Sequence, residues 1–366
     1  MSHRTLGLCA ALVFAPGVGV HAEVVIETVT VGNPGNAGEW SGESYGGSGP
    51  DRFCGAVDYV YNIGAFEVTN SQYAEFLNAV ATLGDPNSLY KTDMGGGWND
   101  IGGISRSGSG TEADPWVYAA RPNRGSRPVN YVSWYDALRF ANWMHNGQAT
   151  GPQNASSTED GAYDMSLGTS VARNPGARVF LPSEDEWYKA AYYKGDGTDA
   201  GYWDYPTRSD TAPVSESPFG TDMTNGSANY YNQSGGYYVD PTYYTTAVGA
   251  YSAKPSDSAY GTFDQGGNLR EWNEEDIHGD GSSRGVRGGS FGGPAGGPFG
   301  DDVYGMHAAF RWNYNPASAF KKFGFRVGTA AGPIPTVSAW GLIVLATLLT
   351  TAGTILFRSR RAVASA

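Results

Sequence analysis

Glycine limits the folds open to this chain more than any other feature, because it fills 53 of the 366 positions and proline fills another 20. Inside a helix each glycine costs about 1 kcal/mol relative to alanine, so a mostly helical protein is excluded. Tryptophan, tyrosine and phenylalanine make up 13% of the residues, whereas disordered chains are poor in aromatic residues. The sequence therefore predicts a turn-rich domain with an aromatic core.

The acidic residues all lie between two acid-free ends. Residues 1–22 and 334–366 contain no Asp or Glu and hold four arginines. Residues 23–333 therefore carry 20 basic and 36 acidic side chains, a formal net charge of −16. Because a nucleic-acid-binding protein needs a basic surface to neutralise phosphates, we expect no nucleic acid partner.

The first 22 residues have the pattern of a secretory signal peptide. Arg4 precedes an apolar stretch from residue 6 to residue 20, and the small residue Ala22 ends the segment. This order is typical of signal peptides, and the alternative is a buried N-terminal strand or helix. Cleavage after Ala22 would remove Cys9 and leave Cys54 as the one cysteine, which excludes an internal disulfide.

The C-terminal residues have the pattern of a membrane anchor. Residues 339–357 are 19 positions without a charged side chain, and three arginines follow them. As a helix they would span about 28 Å, close to the roughly 30 Å of a hydrocarbon core. The arginines would hold the C-terminus in the cytoplasm, and the alternative is a buried core helix. We therefore expect an exported protein, extracytoplasmic or on the cell surface, with the inner membrane as a partner of its tail.

The body, residues 23–333, contains no charged or proline-rich linker that would divide it, so we predict one domain. Three helices are expected after Thr69, Ser133 and Ser183, because a Gln, Asp or Glu three residues later completes a capping box. The residues expected on the buried helix faces are Tyr73, Phe76, Leu77, Val80, Phe140, Ala141, Met144, Trp187, Ala190 and Ala191. Strands are expected at residues 59–63, 66–68, 178–181, 283–287 and 323–327. The acidic run at 184–186 is assigned to the first turn of a helix, and the run at 274–276 to a solvated loop.

The tail resembles a known sorting signal. The Ile-Pro-Thr-Val-Ser-Ala-Trp-Gly sequence at 334–341 is similar to the bacterial IPTL-type C-terminal tail. That resemblance implies a membrane-bound sorting peptidase as a partner, and passage of the body to the cell surface. Ala339 stands where the family usually has an acidic residue, so processing and simple anchoring both remain open.

Six separated motifs of the body resemble the formylglycine-generating enzyme (sulfatase-modifying factor) family. They are residues 63–76, 127–137 and 180–187, the Gly-Asn-Leu-Arg-Glu-Trp at 267–272, the Arg-Gly-Gly-Ser-Phe at 287–291, and the Gly-Phe-Arg-Val at 324–327. The resemblance implies an α+β fold, the loop-rich variant of the C-type lectin-like fold with short strands and about three helices.

The resemblance also implies a chemistry that this chain lacks the residues to perform. The family enzyme oxidises a client cysteine to formylglycine with copper held by two cysteines, and thiolates are the ligands that select Cu(I). By resemblance those positions lie near Gly293 and Pro298 here, and neither is a cysteine, so copper is not expected. Cys54 is expected to be a small buried residue, and catalysis by it would require a lowered thiol pKa. A sister branch uses an iron-binding histidine cluster, but His145, His278 and His307 are widely spaced.

Calcium is the ion that the remaining oxygen side chains suit. Carboxylates, amides and backbone carbonyls are its usual ligands. By resemblance the first site uses Asn268 and Glu271, and the second uses Asn229, the Tyr230 carbonyl, Asp240 and the Thr242 carbonyl. The alternative is a solvated turn in which Asn and Asp cap their own backbone.

Two functions follow from these patterns. The first is a non-catalytic binding or structural module, in which tyrosines contact an extracellular glycan or protein through their flat rings and polar tips. The candidate residues are Tyr230, Tyr231, Tyr237, Tyr238, Tyr243 and Tyr244, and core packing of long loops is the alternative for them. The second function is an enzyme, with a formylglycine-type oxidase or another activity in a remodelled pocket.

Overall fold

The computed structural model describes residues 22–47, 49–232, 238–292 and 303–331. Most of the predicted signal peptide, the sorting tail and residues 293–302 lie outside this part of the chain. Within the described part, every helix is too short or too polar to cross a membrane. The predicted anchor at 339–357 lies outside it and stays a prediction.

Three α-helices begin where the sequence predicts them: α1 (Asn70–Val80), α2 (Trp134–His145) and α3 (Glu184–Tyr192). The residue before each helix accepts a hydrogen bond from the third backbone N–H, and the third side chain accepts one from the capping residue. These reciprocal bonds satisfy backbone donors that a helix otherwise leaves unpaired. The three capping boxes are confirmed.

The helices α1 and α2 bury an aromatic core. The Phe76 ring lies 5.4 Å from Phe140 and 5.2 Å from Trp143, centroid to centroid. The residues predicted on the buried faces are buried except Met144, which is half-buried because Trp143 occupies the interior position beside it. Four tryptophans, at 134, 143, 187 and 272, are among the most completely buried side chains, as an aromatic core requires.

The strands are short. They are β1 (Thr28–Val31), β2 (Glu39–Ser41), β3 (Arg52–Cys54), β4 (Tyr61–Gly64), β5 (Ile104–Ser107), β6 (Val117–Ala120), β7 (Val179–Phe180), β8 (Val214–Ser215), β9 (Ser227–Ala228), β10 (Arg270–Asp276), β11 (Arg284–Arg287), β12 (Trp312–Tyr314), β13 (Phe323–Gly324) and β14 (Gly328–Ala330). Short 3-10 helices cover Glu43–Tyr45, Thr92–Gly95, Trp98–Asp100, Met165–Ser170 and Tyr304–Met306.

Two four-stranded sheets organise the body. The first has the order β1-β4-β14-β7 and is antiparallel throughout. The second has the order β12-β11-β10-β13, with β10 and β13 parallel and the other pairs antiparallel. The remaining strands form the pairs β2–β3, β5–β6 and β8–β9.

Two strand predictions and one loop prediction need correction. Residues 66–68 are not a strand, because their backbone bonds go to single loop positions, such as Val68 N–H to the Phe325 carbonyl at 2.9 Å. The predicted strand at 323–327 is shorter, and β14 then joins the other sheet. The acidic run at 274–276, predicted as a solvated loop, belongs to β10, where Glu274 pairs with Arg173.

Candidate functional site

A buried ion pair joins the two four-stranded sheets and includes Glu271 of the motif at 267–272. Arg326 donates to both carboxylate oxygens of Glu271 on β10, at 2.6 and 2.7 Å. The same guanidinium donates to the Gly64 carbonyl on β4 at 2.8 Å. Trp187 of α3 completes the shell of Glu271 with an indole N–H at 2.8 Å. Each of these three side chains is fully buried, so the pair holds the motif at 267–272 in one position.

Both the oxygen and the nitrogen of the Asn268 side-chain amide form hydrogen bonds. Its Oδ1 accepts from the Thr246 N–H at 2.9 Å and from Asn229 Nδ2 at 3.0 Å, and its Nδ2 donates to Glu67 at 3.1 Å. Gly267 makes this approach possible, since it has a φ of 94° and an added Cβ would lie 2.6 Å from the Asn229 carbonyl oxygen. The motif therefore depends on a glycine at this position.

The residues of the two predicted calcium sites lie next to each other, but their side-chain oxygens differ in hydrogen-bond partners. Both oxygens of Glu271 accept from Arg326, so binding an ion there would require exchange of these donors. The Oδ1 of Asn229, in contrast, is buried without a hydrogen-bond partner among the described residues. An amide oxygen left in this way fits a calcium ligand, so Asn229 suits the ion and Glu271 does not in this arrangement.

The rest of the second group forms a capped turn. Asp240 Oδ1 accepts from the backbone N–H groups of Thr242 and Tyr243, at 3.0 and 2.9 Å. Its other oxygen lies 3.2 Å from Arg127. Tyr230 is buried and donates its hydroxyl to the Pro213 carbonyl at 3.0 Å. The turn joins Asn229, because the Tyr244 carbonyl accepts from its Nδ2 at 2.9 Å. Calcium at either group stays a prediction.

Excess carboxylates surround Arg326. Burial raises the pKa of Glu67 well above its ordinary value, and the nearby charges of Glu271 and Asp264 add to the increase. Burial likewise raises the pKa of Asp264 to about 6, although the Gly249 N–H donates to it. One guanidinium faces three carboxyl groups here, so protons remain on this cluster at mildly acidic pH.

A second buried charge cluster centres on Glu184, the first residue of α3. Arg287 donates to it at 2.8 Å, Arg311 at 2.8 and 2.7 Å, and Arg52 at 3.3 Å. Burial opposes ionisation of Glu184, but the ion pairs with Arg287 and Arg311 outweigh it and lower the pKa to about 2. The prediction for residues 184–186 identified the helix turn and missed this cluster.

Cys54 lies against the Glu184 cluster. Its Sγ is fully buried, 3.4 Å from Arg287 and 3.7 Å from Arg52. Burial raises the pKa of the thiol to about 11, with the Glu184 charge adding to the rise. A thiol with this pKa is protonated at neutral pH, and the thiolate is the form that reacts.

An aromatic cluster lies beside the Arg-Gly-Gly-Ser-Phe motif. It comprises Trp98, Tyr231, Tyr238, Tyr244 and Phe291. The Tyr244 ring is 5.1 Å from Trp98, 4.8 Å from Tyr238 and 5.9 Å from Phe291, and Tyr231 is 4.9 Å from Tyr238. Trp98 is 38% exposed. Tilted and edge-to-face rings of this kind offer a rigid contact surface with polar tips.

The backbone around the aromatic cluster adopts rare conformations. Tyr131 and Tyr244 have φ values of 59° and 66°, which are outliers for bulky side chains. The Tyr131 hydroxyl accepts from the Trp98 N–H at 3.1 Å, and Asn99 donates to the Tyr244 hydroxyl at 3.0 Å. Such strain persists only where the surroundings hold it, and it concentrates at functional sites.

The structure divides the six predicted tyrosines. Tyr231, Tyr238 and Tyr244 belong to the aromatic cluster, whereas Tyr230 packs in the core and Tyr237 lies outside the described residues. Tyr243 is stacked with the Arg127 and Arg124 guanidinium groups, at 4.2 and 4.9 Å from the ring centroid. Sequence reasoning missed Trp98 and Lys321, whose ammonium lies over the Trp98 ring. The glycines that precede Trp98 indicate a loop, and an aromatic residue on such a loop could have been predicted to be exposed.

Comparison with known families decides the relationship. Residues 56–331 match the model of the sulfatase-modifying factor enzyme 1-like domain. The chain belongs to this family. Its fold is therefore the loop-rich α+β variant of the C-type lectin-like fold, as the sequence motifs imply. Residues 333–362 match the IPTL-CTERM motif, which marks the protein as exported and surface-sorted and implies a C-terminal sorting machinery.

The solved structures to which this chain is similar have low sequence identity to it. Treponema denticola variable protein 1 is 19% identical, with a TM-score of 0.48 over 85% of this chain and 98% of that chain. CarF is 20% identical, with a TM-score of 0.44 over 84% and 99%. PvdO from Pseudomonas aeruginosa is 18% identical, with a TM-score of 0.42 over 84% and 92%. No curated protein gives a significant match.

Arg311, His307 and Cys54 each have polar partners in the structure. Arg311 binds Glu184 and the Pro50 carbonyl, and His307 Nδ1 accepts from the Ala309 N–H at 3.0 Å. Cys54, the last residue of β3, contacts Arg287, the first residue of the motif. At the far end of the described motif, Lys322 donates to the Gly292 carbonyl at 2.6 Å. Gly293 and Pro298 lie outside the described residues.

Proposed function

We propose that this exported member of the family is a non-catalytic binding protein whose ligand contacts the aromatic cluster. The observation that carries the proposal is the position of the cluster: Phe291, which ends the Gly-Gly-Ser-Phe motif, packs on Tyr238 and Tyr244. By resemblance, the family's reactive cysteines follow this motif in sequence, and the polar tips of the tyrosine rings suit a glycan or a peptide.

The chemistry of Cys54 supports a role without catalysis. It is the one cysteine of residues 23–333, and burial keeps its thiol protonated. Copper selection requires thiolate ligands, and a second thiol is absent from this part of the sequence. Binding by preformed rings needs neither a metal nor a nucleophile, so the residues present are sufficient for it.

We further propose that calcium supports the site through Asn229 and Asp240. Asn229 Oδ1, which has no hydrogen-bond partner in the part of the chain that the structure describes, supplies one ligand oxygen, and the Tyr230 and Thr242 carbonyls are the backbone ligands implied by the family resemblance. Bound calcium would fix the turn that carries Tyr243 and Tyr244, because Asp240 caps that turn. The ion is structural in this proposal.

The binding proposal is tested with glycan and peptide arrays probed with the full chain. A ligand found there is titrated by calorimetry against the wild type, Trp98→Ala and the control Leu167→Ala. Leu167 is an exposed leucine in the 3-10 helix Met165–Ser170, away from the cluster in sequence. We expect Trp98→Ala to weaken binding about tenfold or more, as loss of a central aromatic contact does. Equal binding by both variants, or no binding to either array, contradicts the proposal.

A further inference from the structure

A second group of exposed rings lies on the β2–β3 hairpin, which precedes the family-matched residues 56–331. Trp40 and Phe53 are paired directly across the two strands, and Tyr45 follows in the connecting segment. Their side chains are 51%, 46% and 48% exposed. The rings contact one another, with Trp40 5.9 Å from Tyr45 and 5.6 Å from Phe53. A contiguous apolar patch of this kind marks an interaction surface more often than single exposed residues do.

The hairpin is held firmly by its other face. Ser41 Oγ donates to the Ala308 carbonyl at 2.8 Å, and the Gly42 N–H donates to the Ala309 carbonyl at 3.0 Å. Arg52 makes two bonds of 2.9 Å to Asp185 of α3. Residues of β2 and β3 alternate between this inner face and the outer one. The three rings are therefore exposed on a fixed support.

The ring geometry restricts how a ligand can bind. Trp40 and Tyr45 are parallel to within 4° at a centroid separation of 5.9 Å. A flat group inserted between two rings needs about 7 Å, because each stacked contact takes about 3.5 Å. A ligand must therefore lie on the outer faces or edges of the rings. Tryptophan is the best side chain for holding a cation over its face.

The charges beside the rings are acidic. Glu43 and Asp51 are exposed at the two ends of the segment that joins the strands. Hydrogen bonds from Ser44 lower the pKa of Asp51, so it stays ionised. Arg52 is the one basic residue in the described stretch 22–47 and 49–58, and it pairs with Glu184, Asp185 and Glu275 on the inner side. The outer face therefore presents rings and negative charge.

We propose that the outer face of the β2–β3 hairpin is a docking surface for a basic peptide segment of a partner protein. Lys or Arg side chains of the segment lie on Trp40, and Glu43 and Asp51 pair with neighbouring basic groups. The complementarity of charge selects this occupant, because an acidic glycan or peptide would be repelled and a neutral one would leave both carboxylates unused. This surface is separate in sequence from the aromatic cluster and does not depend on the function proposed for it.

The test is fluorescence anisotropy of a labelled Arg-Gly repeat dodecapeptide with the full chain at low and moderate salt. Equivalent Glu-Gly and Ser-Gly peptides report the charge requirement. The variants are Trp40→Ala and the double change Glu43→Gln with Asp51→Asn, since an asparagine side chain keeps an oxygen for the Ser44 N–H. The controls are Leu167→Ala and Phe219→Ala, at hydrophobic side chains that are 52% and 94% exposed and lie outside the hairpin. Binding to the controls includes any general attraction of the basic peptide to the acidic protein, so only a further loss in the hairpin variants reports the docking surface.

We expect the basic peptide to bind the wild type and both controls alike. Trp40→Ala should weaken binding about tenfold, the double variant should lower both the affinity and its salt dependence, and the acidic and neutral peptides should not bind. Thermal unfolding of each variant checks that the hairpin is intact. Equal binding by Trp40→Ala and Phe219→Ala, equal binding of the neutral peptide, or no binding of the basic peptide would overturn the proposal.

Discussion

Charged side chains inside the core are the residues on which this architecture depends most. Glu271 and Arg326 are both fully buried, and their pairing spans the two four-stranded sheets. Glu184 does the same between α3, β3 and β11 with three arginines. Removing one partner of such a pair leaves an uncompensated buried charge, which costs far more than loss of an exposed pair.

The first prediction tests this difference. Arg326→Gln should lower the free energy of unfolding by about 3–5 kcal/mol, because Glu271 would remain buried without its cation. Arg208→Gln, which breaks the exposed pair with Asp257, should cost less than about 1 kcal/mol. Urea unfolding of both variants measures the two changes. Similar decreases in the free energy of unfolding of the two variants would contradict a large contribution of the buried pair to stability.

The second prediction concerns Asp264 and pH. Its pKa is raised to about 6 in the folded protein, so between pH 4 and pH 6 the folded state keeps a proton that the unfolded chain has released. The contribution of Asp264 to stability is therefore greatest below pH 4 and falls as pH rises to about 6, by about 3 kcal/mol in all. Asp264→Asn should remove this fall, and asparagine tolerates the residue's φ of 61°.

The measurement for Asp264 is the difference in unfolding free energy between the variant and the wild type at several pH values. Titrating groups that do not interact with Asp264 cancel in that difference, whereas Glu67, whose pKa the Asp264 charge raises, adds to it. The unfolding free energy of the variant minus that of the wild type should increase from pH 4 to pH 6, and the part of it that Asp264 contributes should stay constant above pH 6. A difference that is constant with pH would mean that Asp264 keeps an ordinary pKa in the folded protein.

At the scale of elements, local signals located the helices well and the strands poorly. Thr69, Ser133 and Ser183 could be identified because a capping box is complete within four residues of sequence. Strands of two to four residues, such as β7 and β13, leave no room for an alternating pattern. Their pairing is decided by distant residues, so the sequence did not reveal β1, β2 or β14.

The site itself was predictable only in part for the same reason. The motif at 267–272 identified Asn268 and Glu271, but the partner of Glu271, Arg326, lies 55 residues away. An arginine within the otherwise apolar Gly-Phe-Arg-Val motif was the available sign of a buried ion pair. The aromatic cluster joins Trp98 to Tyr244 across 146 positions, and no local pattern records such a contact.

The third prediction concerns the glycine that opens the motif. Gly267→Ala should destabilise the protein by about 1–2 kcal/mol for its left-handed backbone and by a further 1–3 kcal/mol for overpacking, because the new Cβ meets the Asn229 backbone. Gly279→Ala is the control, since its φ is 70° but nothing lies within 4 Å of an added Cβ. Thermal unfolding compares them. Equal losses would exclude a close approach at residue 267.

The fourth prediction follows from the calcium proposal. Calcium should raise the Tm of the wild type and of Asp257→Asn, and it should have little effect on Asp240→Asn, which loses a charged ligand while keeping an oxygen for its turn. Differential scanning calorimetry after chelation and after addition of calcium measures the shifts. An unchanged Tm of the wild type, or an equal increase in Asp240→Asn, would contradict a calcium ion at this turn.

The whole molecule retains the family fold, and the function proposed for it is binding in place of the family's oxidation. The family-matched residues 56–331 keep the sheets, the three capped helices and the buried ion pairs. The sorting motif at 333–362 directs this body to the surface, where a net charge of −16 favours solubility. Rings at two places, the aromatic cluster and the β2–β3 hairpin, are then the features available for contact with other molecules.

The central claim, binding without oxidation, is tested most directly by mass spectrometry of a cysteine-containing sulfatase peptide. The peptide is incubated with the full chain, copper, oxygen and a reductant, and a cysteine-retaining member of the family is run in parallel as the positive control. We predict that this chain leaves the peptide cysteine unchanged while the control converts it to formylglycine. Formation of formylglycine by this chain would contradict the account.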